Sequence, residues 1–302
     1  MPISRTAAVV PIALVGMVLV LYRSPVQTGA QTSQSMMLSR LTPATDSSLS
    51  AVNQWSQNWA GLIQTGTDET SVAASWSVPA SFSSQPRPDS AVGEWVGLGG
   101  VNSKSLIQIG TITTVGAKGT PVTKAFWESI PKSAVMAAVI PPGTSVTASI
   151  SPVADAADRW LLTLTAASST TPLLSTTVTL STSQAQGIQT SADWITEAPS
   201  TANKTQLPLA PLASTTMTAL SANSQPLGSS AASLVTIGMA QGPMPVAAPA
   251  LSASQNALVV NTIYGSLGSS AYGTNRWPSN PFQPSDPWNG FFHPHGHNRG
   301  RW

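Results

Sequence analysis

Apolar and polar positions alternate in short runs along most of this chain. Residues 71–78 (SVAASWSV) alternate and stop at Pro79, the behaviour of a strand that proline terminates. Within GEWVGLGGVNSKSLIQIG, residues 93–110, two apolar-rich runs (94–98 and 105–109) flank a Gly- and Asn-containing turn, which predicts a hairpin. In its second run Leu106, Gln108 and Gly110 share one strand face. Ile107 and Ile109 share the other, the core side. Residues 54–63, with Trp55 and Trp59, are expected to begin the ordered domain. Further strands are predicted at 111–115, 124–129, 134–140, 145–150, 160–166, 176–181, 193–196, 212–220, 234–239 and 257–264, with Pro141-Pro142-Gly143 a turn between two of them. No helix is expected between the strands. Strands at such short, fairly regular intervals predict an all-β, antiparallel β-sandwich or barrel over residues 51–265.

Composition agrees. Charged residues make up 8% of the 302, and 25 Pro and 22 Gly interrupt a Ser/Thr/Ala/Val-rich background. That background favours short strands over long helices. A net charge of +2 with no Lys/Arg cluster argues against nucleic acid as a partner. The absence of Cys rules out disulfides and thiolate zinc sites. Residues 1–30 combine Arg5, an apolar run from Thr6 to Tyr22 and a small-residue exit at Thr28-Gly29-Ala30. A secretory signal peptide is the favoured reading, and an uncleaved N-terminal anchor the other. Both place the remainder outside the cytoplasm. Residues 31–50 carry no period and are expected to be a linker. Residues 266–302, rich in Pro, Gly, Asn and aromatics, are expected to be a disordered tail that could associate with the cell envelope. His293, His295 and His297 alternate there without a carboxylate partner, so a polar tail is favoured over a metal site.

Several short motifs follow one another in order: Asn58-Trp59-Ala60-Gly61, Trp76-Ser77-Val78-Pro79, Trp95-Val96-Gly97-Leu98-Gly99-Gly100, Leu106-Ile107-Gln108-Ile109-Gly110, Phe126-Trp127-Glu128, Ala192-Asp193-Trp194-Ile195 and Leu207-Pro208-Leu209-Ala210. None is specific alone. In this order and spacing the chain resembles the glutamic peptidases (eqolisins), secreted acid endopeptidases, over about residues 58–218. The resemblance implies a two-sheet sandwich related to the concanavalin/lectin architecture. It implies a catalytic Gln and carboxylate on neighbouring strands, with the Gln at Gln108. The acidic residue of the family's Glu-Trp-Ile motif falls on Asp193, one methylene shorter. The family's cleft tryptophans fall on Trp59 and Trp95. Glu128, beside Trp127, is placed on the substrate-binding side as a supporting acid. Trp194, of opposite parity to Asp193, is expected in the core.

The chemistry fits those residue types. A carboxylate takes a proton from water and returns it to the leaving amine. An amide N–H stabilises the developing oxyanion. Asp193 takes the first role in this reading and Gln108 the second, with no cofactor and no metal. A carboxylate base implies an acidic optimum. Retracting the carboxyl by about an ångström can cost on the order of 10²-fold in rate. Glu197 shares the strand face of Asp193, but four residues of strand put it about 13 Å further along. It reaches the same water only if the strand ends early, which Pro199 would allow. The expected partner is a polypeptide substrate handled by a monomer. The alternative is a non-catalytic envelope sandwich that binds peptide or glycan through its tryptophans. A surface structural protein is the third reading.

Overall fold

The computed structural model describes residues 52–263, apart from 67, 83–86, 202–204, 213, 228–232, 243 and 253. The expected signal peptide, linker and His-bearing tail lie outside the described residues. The strands are β1 (Gln54–Ser56), β2 (Trp59–Thr65), β3 (Val72–Ser77), β4 (Ala91–Gly99) and β5 (Leu106–Val115). Next come β6 (Pro121–Ser129), β7 (Val135–Ile140), β8 (Ser145–Val153), β9 (Ala156–Ala166) and β10 (Leu174–Thr179). A short helix α1 (Thr182–Ile188) precedes β11 (Ser191–Glu197), β12 (Ser214–Ala222), β13 (Gln225–Pro226), β14 (Ser233–Gln241), β15 (Met244–Leu251) and β16 (Ala257–Thr262).

Hydrogen-bonded neighbours run β10-β9-β8-β3-β12-β16-β15-β14-β2-β11-β4-β5-β6-β7 in one continuous path. All pairs on it are antiparallel, whereas β1 joins β14 in parallel off the path. The two halves of the path face each other, with β4 and β5 against β8. The fold is therefore all-β and sandwich- or barrel-like. The side chains between the halves form the main core, where Leu62, Val96, Ile107, Ile109, Trp160 and Trp194 are buried. Trp194 donates its indole N–H to the Ala73 carbonyl at 2.9 Å, so its burial leaves no orphan donor. Truncating so large a side chain would cost about 3–5 kcal/mol.

Strands β2, β4 and β11 are buried almost throughout rather than alternately, because both of their faces are covered. The second cover is a smaller apolar cluster of Trp59, Ile63, Trp95, Leu106, Phe126 and Ile195 on the far side from the main core. Leu106 and Ile107 thus fall on opposite faces, as the alternation predicts.

Three local departures from the sequence reading have identifiable causes. Residues 105–109 and 111–115 were expected as two strands and form one, β5. Gly110 is a close-approach residue there and not a break: a Cβ on it would sit 2.0 Å from the Glu94 carbonyl oxygen. A helix was not expected, yet α1 forms behind Ser181, whose hydroxyl and Gln184 complete a reciprocal capping box, visible as STSQ at 181–184. Strand β15 went unrecognised because Pro245 and Pro249 interrupt it. Pairing persists at both, opposite Ala240 and Val260.

Candidate active site

The face of the sheet away from the main core is a set of register rows. One row runs Asp193–Gly97–Gln108–Glu128 across β11, β4, β5 and β6. Another runs Glu197–Gly93–Ile112 across β11, β4 and β5. Trp59 is the β2 partner of Glu197, and Trp95 lies on the intervening strand opposite Ile195. Paired residues project to the same side of an antiparallel sheet. All the chemically interesting groups therefore share this face.

Gln108 is buried and donates from Nε2 to Glu128 Oε2 at 2.7 Å. Its Oε1 is buried with no hydrogen-bond partner among the described residues. One amide hydrogen is thus committed to Glu128, and the other remains for a ligand. Glu128 is half-buried, and burial raises its pKa against the opposing pull of the Gln108 amide and a backbone hydrogen bond from Ala134.

Glu197 is the last residue of β11. Trp95 donates its indole N–H to Glu197 Oε2 at 2.7 Å. Asn58, just before β2, donates from Nδ2 to Oε1 at 3.1 Å. Burial pushes the carboxyl up to about 7, Trp95 pulls it back, and the negative charge of Glu128 pushes it further up. Trp59 Nε1 has no hydrogen-bond partner among the described residues, but its N–H dipole also pulls Glu197 down. The Trp59 and Trp95 rings pack edge to face with centroids 4.8 Å apart and planes at 78°.

Asp193 is different. It shares the row of Gln108, but two strand spacings, about 10 Å, separate them. The space over the intervening Gly97 is filled: a Cβ there would lie 2.7 Å from the Trp95 ring and 3.2 Å from Leu106. Asp193 is wholly buried, and neither of its oxygens has a hydrogen-bond partner among the described residues. Burial pushes its pKa well up, the Ser191 hydroxyl opposes this, and the charge of Glu69 adds to it. The structure brings Gln108 and Glu128 into direct contact, and Glu197 within reach of the Glu128 charge. Among the described residues no hydrogen bond joins Gln108 to Asp193 or to Glu197. The residue that sequence reasoning set aside, Glu197, is the one in the tryptophan shell. Its signals were the shared parity and the strand end before Pro199. The indole that spans the gap is invisible in a linear pattern.

A family model described as the Peptidase A4 family matches residues 57–260. Among solved structures, a scytalido-glutamic peptidase with a transition state analog inhibitor is similar at a TM-score of 0.53 and 19% identity, over 68% of this chain and 98% of that one. SCP-B, a member of the eqolisin family in complex with the tripeptide Ala-Ile-His, is similar at 0.51 and 19%, over 68% and 98%. No curated protein matches the chain.

Proposed function

The chain belongs to the Peptidase A4 family, the glutamic peptidases, and from that premise we propose that it is an endopeptidase whose working pair is Gln108 and Glu197. The catalytic carboxyl expected at Asp193 moves in this reading to Glu197. The observation that carries the reassignment is the pair of N–H donors, Trp95 and Asn58, aimed at the two oxygens of Glu197, whereas neither oxygen of Asp193 has a hydrogen-bond partner among the described residues.

Below about pH 7 the proton resides on Glu197. A carboxylic acid offers an acceptor oxygen and a donor O–H side by side. As water adds to the scissile carbonyl carbon, one oxygen of Glu197 accepts a water proton. The other delivers the carboxyl proton to the leaving nitrogen as the C–N bond breaks. Water ends divided between the new acid and the new amine, and Glu197 ends protonated as it began. Gln108 supplies its free N–H to the oxygen that becomes negative, and an interaction realised only in the transition state lowers the barrier. Glu128 holds the amide so that nitrogen, and not oxygen, occupies the donor position. Trp59 and Trp95 shield the carboxyl from water and form the wall of the site.

An acid optimum follows, since the required proton is lost as pH rises through about 7. The finer fold reading, a lectin-like pair of sheets with the site on the outer face of one, is supported by the two apolar clusters on opposite faces of β2, β11, β4 and β5. The chain acts outside the cytoplasm as a monomer in this proposal, the location supported by the signal-like pattern of residues 1–30. Digestion of a denatured protein between pH 2 and 7 is the test. Internal cleavage that disappears in Glu197→Gln is the expected result. A folded wild-type chain that cleaves nothing across this range overturns the reading.

A further inference from the structure

The two ends of the strand path differ in chemistry. Strand β10 ends one side with LSTTVT, where Ser175, Thr177 and Thr179 are exposed hydroxyls. Strand β7 ends the other with VMAAVI, in which Val135 (45% exposed), Met136 (46%) and Val139 (63%) are open to solvent. Val122 on the adjacent strand is exposed too. No charge and no proline interrupts residues 135–140, although sheet edges ordinarily carry such residues to block pairing.

The register connects this edge to the site. The row of Trp95 continues through Gly110 and Phe126 to Met136. The row of Glu197 continues through Gly93, Ile112 and Lys124 to Val139. The two rows that hold the site's indole and its carboxyl therefore both end on an exposed apolar side chain at the rim. Beyond them lies a strand edge, whose main-chain donors and acceptors only another extended chain complements.

We propose that the outer edge of β7 is a docking edge for an extended, uncharged apolar stretch of the polypeptide substrate, which adds to the sheet as a further strand against Met136 and Val139. This rests on the peptidase reading of the same face. An added strand lies three strand spacings, about 14 Å, from β5 and its Gln108. A chain spans that distance with roughly four to five extended residues. The edge thus selects long, unfolded, apolar substrates over short peptides, and it engages them several residues from the bond that breaks.

The test uses the full chain and a fluorescent twelve-residue peptide carrying a Val/Ala/Leu run, with a copy N-methylated at alternate residues of that run. Affinity is measured by anisotropy on Glu197→Gln, and cleavage of a denatured protein by wild type is run in parallel. N-methylation on the pairing side is expected to weaken binding on the order of tenfold, the loss of a few ladder hydrogen bonds. A Met136→Thr/Val139→Thr double variant, which keeps strand propensity and removes apolar surface, is expected to weaken it severalfold and to raise KM for long substrates. Equal affinity for both peptides overturns the docking proposal even if the double variant fails to fold. Sedimentation showing a dimer that the double variant dissociates also overturns it, by assigning the edge to a second copy. Binding as expected with no cleavage by wild type overturns the peptidase reading and leaves the docking edge standing.

Discussion

Asp193 and Glu197 occupy the same face of β11, four residues apart; Asp193 is wholly buried and Glu197, at the strand end, is half-buried. Their surroundings make them different reagents. At the Asp193 end the Trp95 ring closes the space over Gly97, and both carboxyl oxygens lack hydrogen-bond partners among the described residues. At the Glu197 end two N–H groups meet the two oxygens. Desolvation raises both pKa values; the Ser191 hydroxyl alone opposes it at Asp193, whereas the Trp95, Trp59 and Asn58 N–H groups oppose it at Glu197. Burial alone makes a carboxyl inert. Burial with aimed donors makes it able to take up and give back a proton.

The largest expected effect comes from removing the proposed proton carrier. Glu197→Gln keeps the size and the hydrogen bonds and removes the acid–base function, so kcat/KM should fall by about 10³-fold or more, measured on a denatured protein at pH 4. Gln108→Ala should follow at about 10²–10³-fold, mostly in kcat, because an oxyanion donor acts in the transition state.

Next in size is the response of stability to pH. Glu94 projects from β4 into the main core, where Thr111 and Thr215 donate to it at 3.2 and 3.3 Å. Burial pushes it up to about 8. The folded state holds this proton more tightly than the unfolded state, so the associated stability is complete below about 4.5 and is lost as pH rises toward 8. The loss is on the order of 4–5 kcal/mol, and Glu197 adds to it between 4.5 and about 7. Denaturant midpoints should therefore fall from pH 4 to pH 8, and Glu94→Gln should flatten that slope. A midpoint that climbs over this range would contradict the burial assigned to both groups.

The smallest expected effect sharpens the account of Glu197 itself. Trp95→Phe removes the indole N–H that lowers its pKa. The descending limb of kcat/KM, expected near pH 7 in the wild type, should move upward by about one pH unit. A limb that stays in place would mean that Trp95 only fills space.

Much of the fold was legible in the sequence because sheet burial is a period-two signal, which Ser71–Val78 and Leu106–Gly110 display. Where a second constraint overrode that signal, the reading failed. Prolines 245 and 249 hid β15, and Gly110 looked like a break although it is the space that the Glu94 backbone requires. In the site, the strand face that carries Gln108 was legible from parity. The choice between Asp193 and Glu197 was not. Counting residues gives their separation along the strand, but it does not reveal which one a tryptophan on the next strand covers and which one it hydrogen-bonds.

The most direct test sets Asp193→Asn beside Glu197→Gln, both verified as folded, in one assay of peptide-bond cleavage at pH 4. Asp193→Asn is expected to retain cleavage within about threefold of wild type, a change too small for a lost proton carrier, and Glu197→Gln to lose it. Loss of cleavage in Asp193→Asn with activity retained in Glu197→Gln would return the catalytic role to Asp193 and contradict the assignment.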